Sequence, residues 1–180
     1  MSGLVRRWAQ AAFDVASAQG AVDAVAQDLA QIAEVLNDAD LRALVQRPEL
    51  SISLRDRLTL GLSRERHPLT SNLMRALGAR RRLALLLELP KAFEALVLAS
   101  RGEVRGIVES SHPLDESAMA TLGRAAEQLS GQKVVLDVRH NPALIGGVRL
   151  RVGNTLWDGS VSARLERLRQ RLLEAPLAGS

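Results

Sequence analysis

Residues 141–172, which read NPALIGGVRLRVGNTLWDGSVSARLERLRQRL, decide the fold of the C-terminal part of the chain. Within them, the VRLRV run at 148–152 alternates an aliphatic residue with arginine. An alternation of period two is typical of a strand that is buried on one face only. The Gly146-Gly147 pair in front of this run predicts a bend or bulge, so we expect the strand to begin directly after a turn of the chain.

A hairpin and a helix start follow that strand. The Gly153-Asn154 pair is a two-residue hairpin signal, because glycine accepts the positive φ that such turns need. The short return strand, 155–157, is stopped by the run Asp158-Gly159-Ser160. Serine is a good N-cap, so we expect Ser160 to start the last helix. The residues predicted to be structural are Gly146, Gly147, Gly153, Asp158, Gly159 and Ser160.

The last helix carries a narrow apolar stripe among arginines. Val161, Leu165, Leu168 and Leu172 follow one another at steps of 4, 3 and 4, which places them on one side of a helix. Burying the four would contribute on the order of 1.5–3 kcal/mol each. We therefore expect the stripe to dock first on the chain's own sheet, and a partner to compete for whatever remains exposed.

Upstream of the sheet, apolar residues recur with a helical period in six segments. They are 4–19, 21–36, a short third helix that Pro48 ends, a fourth that Ser51 or Ser53 opens, a fifth from Pro68 to Gly78, and a long sixth from Leu83 that Pro90 kinks or splits. On the first helix, the residues expected to share the apolar face are Leu4, Trp8, Ala11, Ala12, Val15 and Ala16. On the second helix they are Val22, Val25, Leu29, Ile32 and Leu36, and on the fourth they are Leu54, Leu58 and Leu62. Short helices joined by short loops predict an antiparallel six-helix bundle over residues 1–103.

Downstream of that bundle the period changes. Residues 104–110 and 133–139 are predicted strands, with a helix between them that Asp115 or Ser117 starts and Gly131 ends. With the hairpin and the last helix, residues 104–180 form a small α+β module in the order β-α-β-β-β-α. The fold class is therefore α+β, an all-helical domain followed by this module.

Composition limits the functional classes. The chain has no cysteine, which excludes disulfides, thiolate metal sites and a cysteine nucleophile. Its net charge is only +4, although its pI is about 10.8. Residues 1–41 hold two basic and six acidic residues, and residues 42–82 hold ten basic and three acidic residues. Either these segments face each other within the bundle, or the basic one faces an acidic partner.

Membrane insertion is not expected. No purely apolar run is longer than the five residues of Leu83–Leu87, far short of the roughly 20 residues that a spanning helix needs. Charged Arg6, Arg7 and Asp14 interrupt any signal-peptide core, and the helical pattern starts too early for a transit peptide. We therefore expect another chain to bring this one to a membrane, if it works there.

No pattern in the sequence indicates catalysis, a metal or a cofactor. Ser111, His112 and Asp115 could be written as a triad, but they form a turn before a helix, where such residues are common. The three histidines lie beside or near prolines in loops, where we expect them to be solvated, and none has the spacing of a metal ligand. The Gly146-Gly147 pair lacks the motifs of phosphate-binding loops and precedes a strand.

Two features remain as candidates for binding. The run Arg80-Arg81-Arg82 could contact phosphates, although it lacks interleaved aromatic residues and is more simply a solvated junction between helices. Trp8 lies on the first helix, where a groove between helices 1 and 5 could receive an amphipathic helix from a partner. Trp8 could equally belong to the core.

The C-terminal run LIGGVRLRVGNTLWDGSVSARLERL, residues 144–168, resembles the signature of the delta subunit of F-type ATP synthases, called the oligomycin-sensitivity-conferring protein in mitochondria. The segment 72–93 resembles the fifth and sixth helices of that family. The run WAQAAF at 8–13 resembles its opening motif. The resemblance therefore covers nearly the whole chain.

This resemblance implies a non-catalytic stator subunit without cofactors. The helical bundle would bind the N-terminal helices of alpha subunits on the catalytic head, and the C-terminal domain would bind the end of the b subunit of the peripheral stalk. Carried over position by position, the head-facing residues are Trp8, Ala12, Val15, Leu73 and Leu77. The complex would hold the chain peripherally at the cytoplasmic face of a bacterial inner membrane.

Two other classes of function remain open from the residues. The first is an Arg-rich adaptor that binds nucleic acid through residues 80–82 and the last helix, and the second, less favoured, is an enzyme. Binding driven by phosphate contacts should weaken steeply with salt, whereas binding of a helix in a groove should weaken little. Salt dependence therefore separates the adaptor from the stator.

Overall fold

The computed structural model describes residues 2–47, 50–153 and 155–174, and in its last helix the side chains as far as Arg171. The fold is α+β. The chain divides into two compact units, Met1–Ser100 and Arg101–Ser180. The sequence placed the division after residue 103, but the first strand already begins at Glu103, so that boundary would cut the strand.

The first unit is helical throughout its described regular structure. Its elements are α1 (Gly3–Ala18), α2 (Val22–Val35), α3 (Ala39–Gln46), α4 (Ile52–Ser63), α5 (Pro68–Ala79), a 3-10 helix (Leu83–Leu87) and α6 (Leu89–Ser100). Pro90 does split the predicted sixth helix. It stands in the first turn of α6, where a missing backbone N–H costs little, and the apolar residues before it form the separate 3-10 turn.

The core of this unit follows the predicted stripe of α2 but not that of α1. Val25, Leu29 and Ile32 of α2 are buried. In α1 the buried residues are Val5, Ala9 and Ala16, and of the face predicted from sequence only Ala16 is among them. Helix α1 therefore has a wide apolar surface, and the predicted face lies mainly on the part that the core leaves uncovered.

Side-chain caps start α3 and α4. Asp38 caps α3, accepting from the N–H groups of Asp40 and Leu41. Of the two candidates for α4, Ser51 is the cap, because its hydroxyl accepts from the N–H of Leu54 at 3.3 Å. Pro48, predicted to end α3, lies outside the described residues.

The sequence predicted that α5 ends at Gly78, but the structure shows a different end. The helix continues to Ala79, and Gly78 is buried within it. A β-carbon at Gly78 would lie 2.5 Å from the hydroxyl oxygen of Thr59. The absence of a side chain therefore lets α4 and α5 approach closely.

The oppositely charged segments of the first unit meet at Asp28 and Arg66. The guanidinium of Arg66 lies 3.7 Å from the carboxylate of Asp28. The backbone N–H of His67 donates to the same carboxylate at 2.8 Å. His67 itself caps α5, its ring nitrogen accepting from Leu69 N–H at 3.2 Å. It is therefore half-buried and structural, not the solvated loop histidine expected from sequence.

The second unit has the predicted order of elements. They are β1 (Glu103–Ser110), α7 (Glu116–Ser130), β2 (Lys133–His140), β3 (Val148–Val152), β4 (Thr155–Asp158) and α8 (Val161–Glu174). The strands form one mixed sheet in the order β2-β1-β3-β4. β1 pairs parallel with β2 and antiparallel with β3, and β3 pairs antiparallel with β4.

Helix α7 supplies the apolar cover for one face of this sheet. The buried cluster consists of Val108, Ala126, Val134, Leu150 and Val152. Asp115 caps the helix, and Gly131 ends it in the left-handed conformation with φ 69°. The alternation in β3 is real, since Leu150 and Val152 are buried and Arg151 is exposed.

Helix α8 contradicts the prediction that its stripe docks on the sheet. Val161 is 39% exposed, Leu165 56% and Leu168 53%. Among the described side chains, every residue from 164 to 171 is exposed, while the side chain of Leu172 lies outside the described set. The helix is held at its first turn, and the apolar stripe beyond that turn faces solvent.

No helix within the described residues is both long and apolar enough to cross a bilayer.

Candidate partner-binding surfaces

A groove runs between α1 and α5 of the first unit. It measures about 250 Å³. Its lining residues are mostly apolar: Trp8, Ala11, Ala12, Val15, Val25, Leu69, Asn72, Leu73 and Ala76. It lies at the place proposed from sequence, and it contains four of the five residues named there as head-facing.

Short side chains create this groove. Val5 and Ala9 of α1 turn toward the core, and Phe13 meets Phe93 of α6 edge-to-face with ring centroids 6.0 Å apart. These contacts fix α1. Alanines then occupy the middle of the facing surfaces of α1 and α5, as at Ala12, and leave a recess between larger side chains.

The groove is open to a partner at its α1 rim. Val15 is 49% exposed, and Trp8 and Leu73 are half-buried while packing against the core. The guanidinium of Arg80 lies 5.5 Å from the centre of the Trp8 ring, in a cation–π contact. Trp8 is thus oriented by its neighbours and still presents part of its ring.

Leu77, the fifth residue named from sequence, is not part of this surface. It is 0% exposed and belongs to the core of the first unit. It supports α5 from beneath and offers nothing to a partner. The prediction placed Leu77 on the partner-facing surface, whereas the structure places it in the buried core together with Met74.

The second surface is α8, which the glycine-rich run anchors to the sheet. The N–H of Val161 donates to the carbonyl oxygen of Gly146 at 2.9 Å, and the N–H of Gly159 donates to that of Val148 at 3.0 Å. Gly147 has φ +81°, and a β-carbon there would lie 2.6 Å from the carbonyl oxygen of Gly159. The bend predicted for the glycine pair therefore brings two backbone segments into contact at the start of α8.

Asp158 and Ser160 complete this helix start. The Asp158 carboxylate accepts from the N–H of Ser160 at 3.0 Å, and the Ser160 hydroxyl accepts from the N–H of Ala163 at 3.2 Å, which is the predicted cap. Hydrogen bonds from Ser160, with a smaller contribution from Arg149, lower the pKa of Asp158 from its ordinary value. Gly153, in the hairpin, has φ +56° as expected, and Asn154 lies outside the described residues.

Arg149 of β3 links the sheet to Asp158 at the start of α8. Its guanidinium lies 3.0 Å from the Asp158 carboxylate and 3.6 Å from that of Glu109. The side-chain amide of Asn141 donates to Glu109 at 2.8 Å. This network fixes the direction in which α8 leaves the sheet.

The residues once considered for catalysis serve local structure. The Ser111 hydroxyl lies 2.9 Å from Nδ1 of His112, an exposed contact between neighbours in a turn. Asp115 caps α7, and hydrogen bonds from the N–H of Ala118 and the hydroxyl of Ser117 lower its pKa. No cluster of three potential metal ligands occurs among the described residues.

Sequence reasoning missed several polar residues of the first unit. Arg55 and Thr59 of α4 are buried although the apolar stripe predicted for that helix runs through leucines. The run at residues 80–82 is an exposed junction between helices, as predicted, and in addition Arg80 stacks on Trp8 and Arg81 lines a separate cleft. In the sequence, the weak amphipathicity of α4 was the only indication that Arg55 and Thr59 are buried.

Comparison with known proteins shows the family. The family model described as "ATP synthase delta (OSCP) subunit" matches residues 4–172. The chain belongs to this family. It is 35% identical over 174 residues to the ATP synthase subunit delta of Myxococcus xanthus, covering 94% of this chain and 96% of that relative. It is 36% identical over 177 residues to that of an Anaeromyxobacter species, covering 96% and 98%.

The fold agrees with that of a solved structure. A chain from the cryo-EM structure of the Toxoplasma gondii mitochondrial ATP synthase hexamer has a TM-score of 0.75 and 27% identity, covering 98% of this chain and 100% of that one. The delta-family similarity thus extends over both units. The comparisons give no support to a nucleic-acid-binding adaptor.

Proposed function

We propose that this delta-family chain is a non-catalytic stator subunit of a proton-driven rotary ATP synthase. The six α-helices of the first unit form an antiparallel bundle that binds the catalytic head, and the second unit binds the peripheral stalk. The observation that carries this proposal is that each unit presents an exposed apolar surface, the α1/α5 groove on the first and the α8 stripe on the second. A linker between two other proteins needs two such surfaces.

The occupant proposed for the groove is the amphipathic N-terminal helix of an alpha subunit. A groove of about 250 Å³ with apolar walls accommodates a few large side chains from one face of a helix. The contact residues are Trp8, Ala12, Val15 and Leu73. Trp8 is suited to be the main anchor, because its side chain is partly exposed and an aromatic ring contributes a large contact area when a partner covers it.

The occupant proposed for α8 is the C-terminal end of the stalk b subunit. Val161, Leu165 and Leu168 present an apolar stripe that the described residues of this chain do not cover. Arginines at 164, 167, 169 and 171 flank the stripe, with Glu166 between them. Such a helix fits a partner helix that has an apolar face bordered by carboxylates.

The position in the cell follows from these partners. With both surfaces occupied, the chain is peripheral to the membrane and is carried by the synthase complex. We place the complex in a bacterial inner membrane, with this subunit on the cytoplasmic side. Its role is to stop the head from turning with the rotor, so that torque is used for ATP synthesis.

Fluorescence titration of the groove tests the head contact. In a Trp157→Phe background, Trp8 is the remaining tryptophan of the two in the chain. A peptide that copies an alpha-subunit N-terminus should shift the Trp8 emission to the blue and saturate, because its side chains displace water from the indole. An unchanged emission spectrum at saturating peptide would refute the groove as the head contact.

A matched pair of variants makes the test specific. Val15→Asp places a charge in the groove rim and should weaken binding at least tenfold, since losing one buried valine removes about 1.5 kcal/mol or more. Ile52→Asp on α4, where the side chain is 67% exposed and does not line the groove, should leave the affinity unchanged. Equal effects of the two would show that the loss is not local to the groove.

Salt dependence separates this proposal from a phosphate-driven complex. Helix binding in an apolar groove should keep most of its affinity when the salt concentration is raised fourfold. A complex held by arginine–phosphate contacts would lose orders of magnitude of affinity over the same range. A steep loss would favour the nucleic-acid alternative.

A further inference from the structure

A second concave site lies in the first unit, away from the residues that line the α1/α5 groove. It is a cleft of about 230 Å³ between α3, the start of α4 and the 3-10 turn. Three arginines line it, Arg47, Arg55 and Arg81, beside the apolar side chains of Val45 and Leu83. The proposed stator contacts make no use of it.

Arg55 is the unusual member of this cleft. It is only 9% exposed, and its guanidinium donates to the carbonyl oxygen of Leu50 at 2.8 Å. Within the described residues, no carboxylate pairs with Arg47, Arg55 or Arg81, and Arg55 makes no other side-chain hydrogen bond. A guanidinium withdrawn from water is expected to have an anionic partner, since burying an unpaired charge is costly.

Arg81 is held in the cleft wall by a backbone conformation that favours glycine. Its φ is +55°, at the residue just past the end of α5. The N–H of Arg81 donates to the carbonyl of Gly78 at 3.0 Å, and that of Arg82 donates to the carbonyl of Leu77 at 2.8 Å. This is the hydrogen-bond pattern of a Schellman motif, whose left-handed position is usually glycine. An arginine there costs the fold stability, so its side chain is expected to have another use.

We propose that this cleft binds a phosphate group, either as inorganic phosphate or as the phosphate of a small ester or nucleotide. Planar guanidinium groups donate paired hydrogen bonds to phosphate oxygens, and arginine remains charged at all relevant pH values. A dianion matches the charge of the three arginines that line the cleft, of which Arg55 is buried and Arg47 and Arg81 are exposed. The concave shape and small volume favour a compact ligand over the broad contact of a partner protein.

Phosphate binding is measured on the full chain by isothermal titration calorimetry at constant ionic strength, with chloride as the balancing anion. Inorganic phosphate should bind saturably with a stoichiometry near one, and raise the melting temperature relative to chloride. Absence of both effects overturns the proposal. Binding with no saturation, as for loose association along the surface, also overturns it.

The variant Arg81→Gly distinguishes a binding role from a structural one. Glycine suits the left-handed position, so this variant should melt at the same temperature as the wild type or higher, while its phosphate affinity falls at least tenfold. Arg42→Gln, which removes an exposed arginine of α3 outside the cleft, should leave the affinity unchanged. Unchanged phosphate affinity in Arg81→Gly, or an equal loss in Arg42→Gln, contradicts the site.

Competing ligands identify the source of the phosphate group. If ADP competes with inorganic phosphate and binds more tightly, the ligand is a nucleotide; if phosphate binds and ADP does not, the ligand is the free anion. Both results support the site. A glutamate-rich peptide that binds while phosphate does not would mean an acidic protein contact and overturn the proposal.

Discussion

A single methyl group added at Gly147 should strongly lower the unfolding free energy of the second unit. Its φ of +81° lies in the left-handed region, and the added β-carbon would lie 2.6 Å from the carbonyl oxygen of Gly159. The conformation alone costs an alanine about 1–2 kcal/mol. Relieving the overlap requires backbone movement, which typically costs a further 1–3 kcal/mol. Gly147→Ala should therefore destabilise the second unit by about 2–5 kcal/mol.

Gly153→Ala is the matched control. Gly153 also has a positive φ, +56°, but a β-carbon there would meet nothing within 4 Å. It should cost only the conformational part, about 1–2 kcal/mol. The difference between the two variants therefore isolates the contact between the glycine-rich bend and the start of α8.

Urea unfolding followed by tryptophan fluorescence measures both variants. Trp157 packs against the core of the second unit, and a Trp8→Phe background leaves it as the reporter. We expect the unfolding free energy of Gly147→Ala to fall below that of Gly153→Ala by at least about 1 kcal/mol. Equal losses would refute the close approach of the bend to Gly159.

Two further predictions concern stability. Gly78→Ala should lower the melting temperature, because its β-carbon would lie 2.5 Å from the buried Thr59 hydroxyl. In Gly61→Ala the β-carbon meets nothing within 4 Å, so the higher helix propensity of alanine should raise the melting temperature. Both are measured by thermal circular dichroism, and a rise in both variants would contradict the close packing of α4 on α5. Hydrogen bonds lower the pKa of Asp158 in the folded state, so its contribution is complete above the unfolded pKa of about 4 and is lost as the pH falls through the folded pKa. The stability difference between wild type and Asp158→Asn should therefore shrink below about pH 4, and a constant difference in urea titrations would contradict this.

Much of the fold could be predicted from local patterns. The stripe of Val25, Leu29 and Ile32 predicted the buried face of α2, and the alternation in 148–152 predicted β3. Caps at Asp38, Ser51 and Asp115 used the chemistry expected of these residues. These features depend on neighbours within a few positions, which is why one sequence suffices.

The predictions were wrong where contacts between residues far apart in the sequence determine the structure. Amphipathicity shows that a helix has an apolar face but not what covers it, so the exposure of Leu165 and Leu168 in α8 could not be inferred. For the same reason the sequence left open whether Trp8 belongs to the core or to a groove, and in the structure four residues of the predicted α1 face line the groove. Gly78 looked like a helix end because its role depends on Thr59, which is on another helix.

The candidate site was predicted through the family resemblance more than from physical patterns. Trp8, Ala12, Val15 and Leu73 do line one groove. The assignment of Leu77 to the partner-facing surface did not hold, because a step of four residues from Leu73 does not return to the same angle on a helix. The remaining rotation is enough to place Leu77 in the core. The three-arginine cleft gave no signal in sequence, because its members come from three separate segments.

Cysteine cross-linking in the assembled ATP synthase tests the two-ended attachment most directly. The chain has no native cysteine, so Val15→Cys, Leu165→Cys and the control Ile52→Cys each carry a single thiol at an exposed position. A short thiol-to-amine cross-linker should join Val15→Cys to an alpha subunit and Leu165→Cys to a b subunit, and should join Ile52→Cys to neither. Cross-links from Val15→Cys to b, from Leu165→Cys to alpha, or from neither of them to any subunit would contradict a stator held by the α1/α5 groove at the head and by α8 at the stalk.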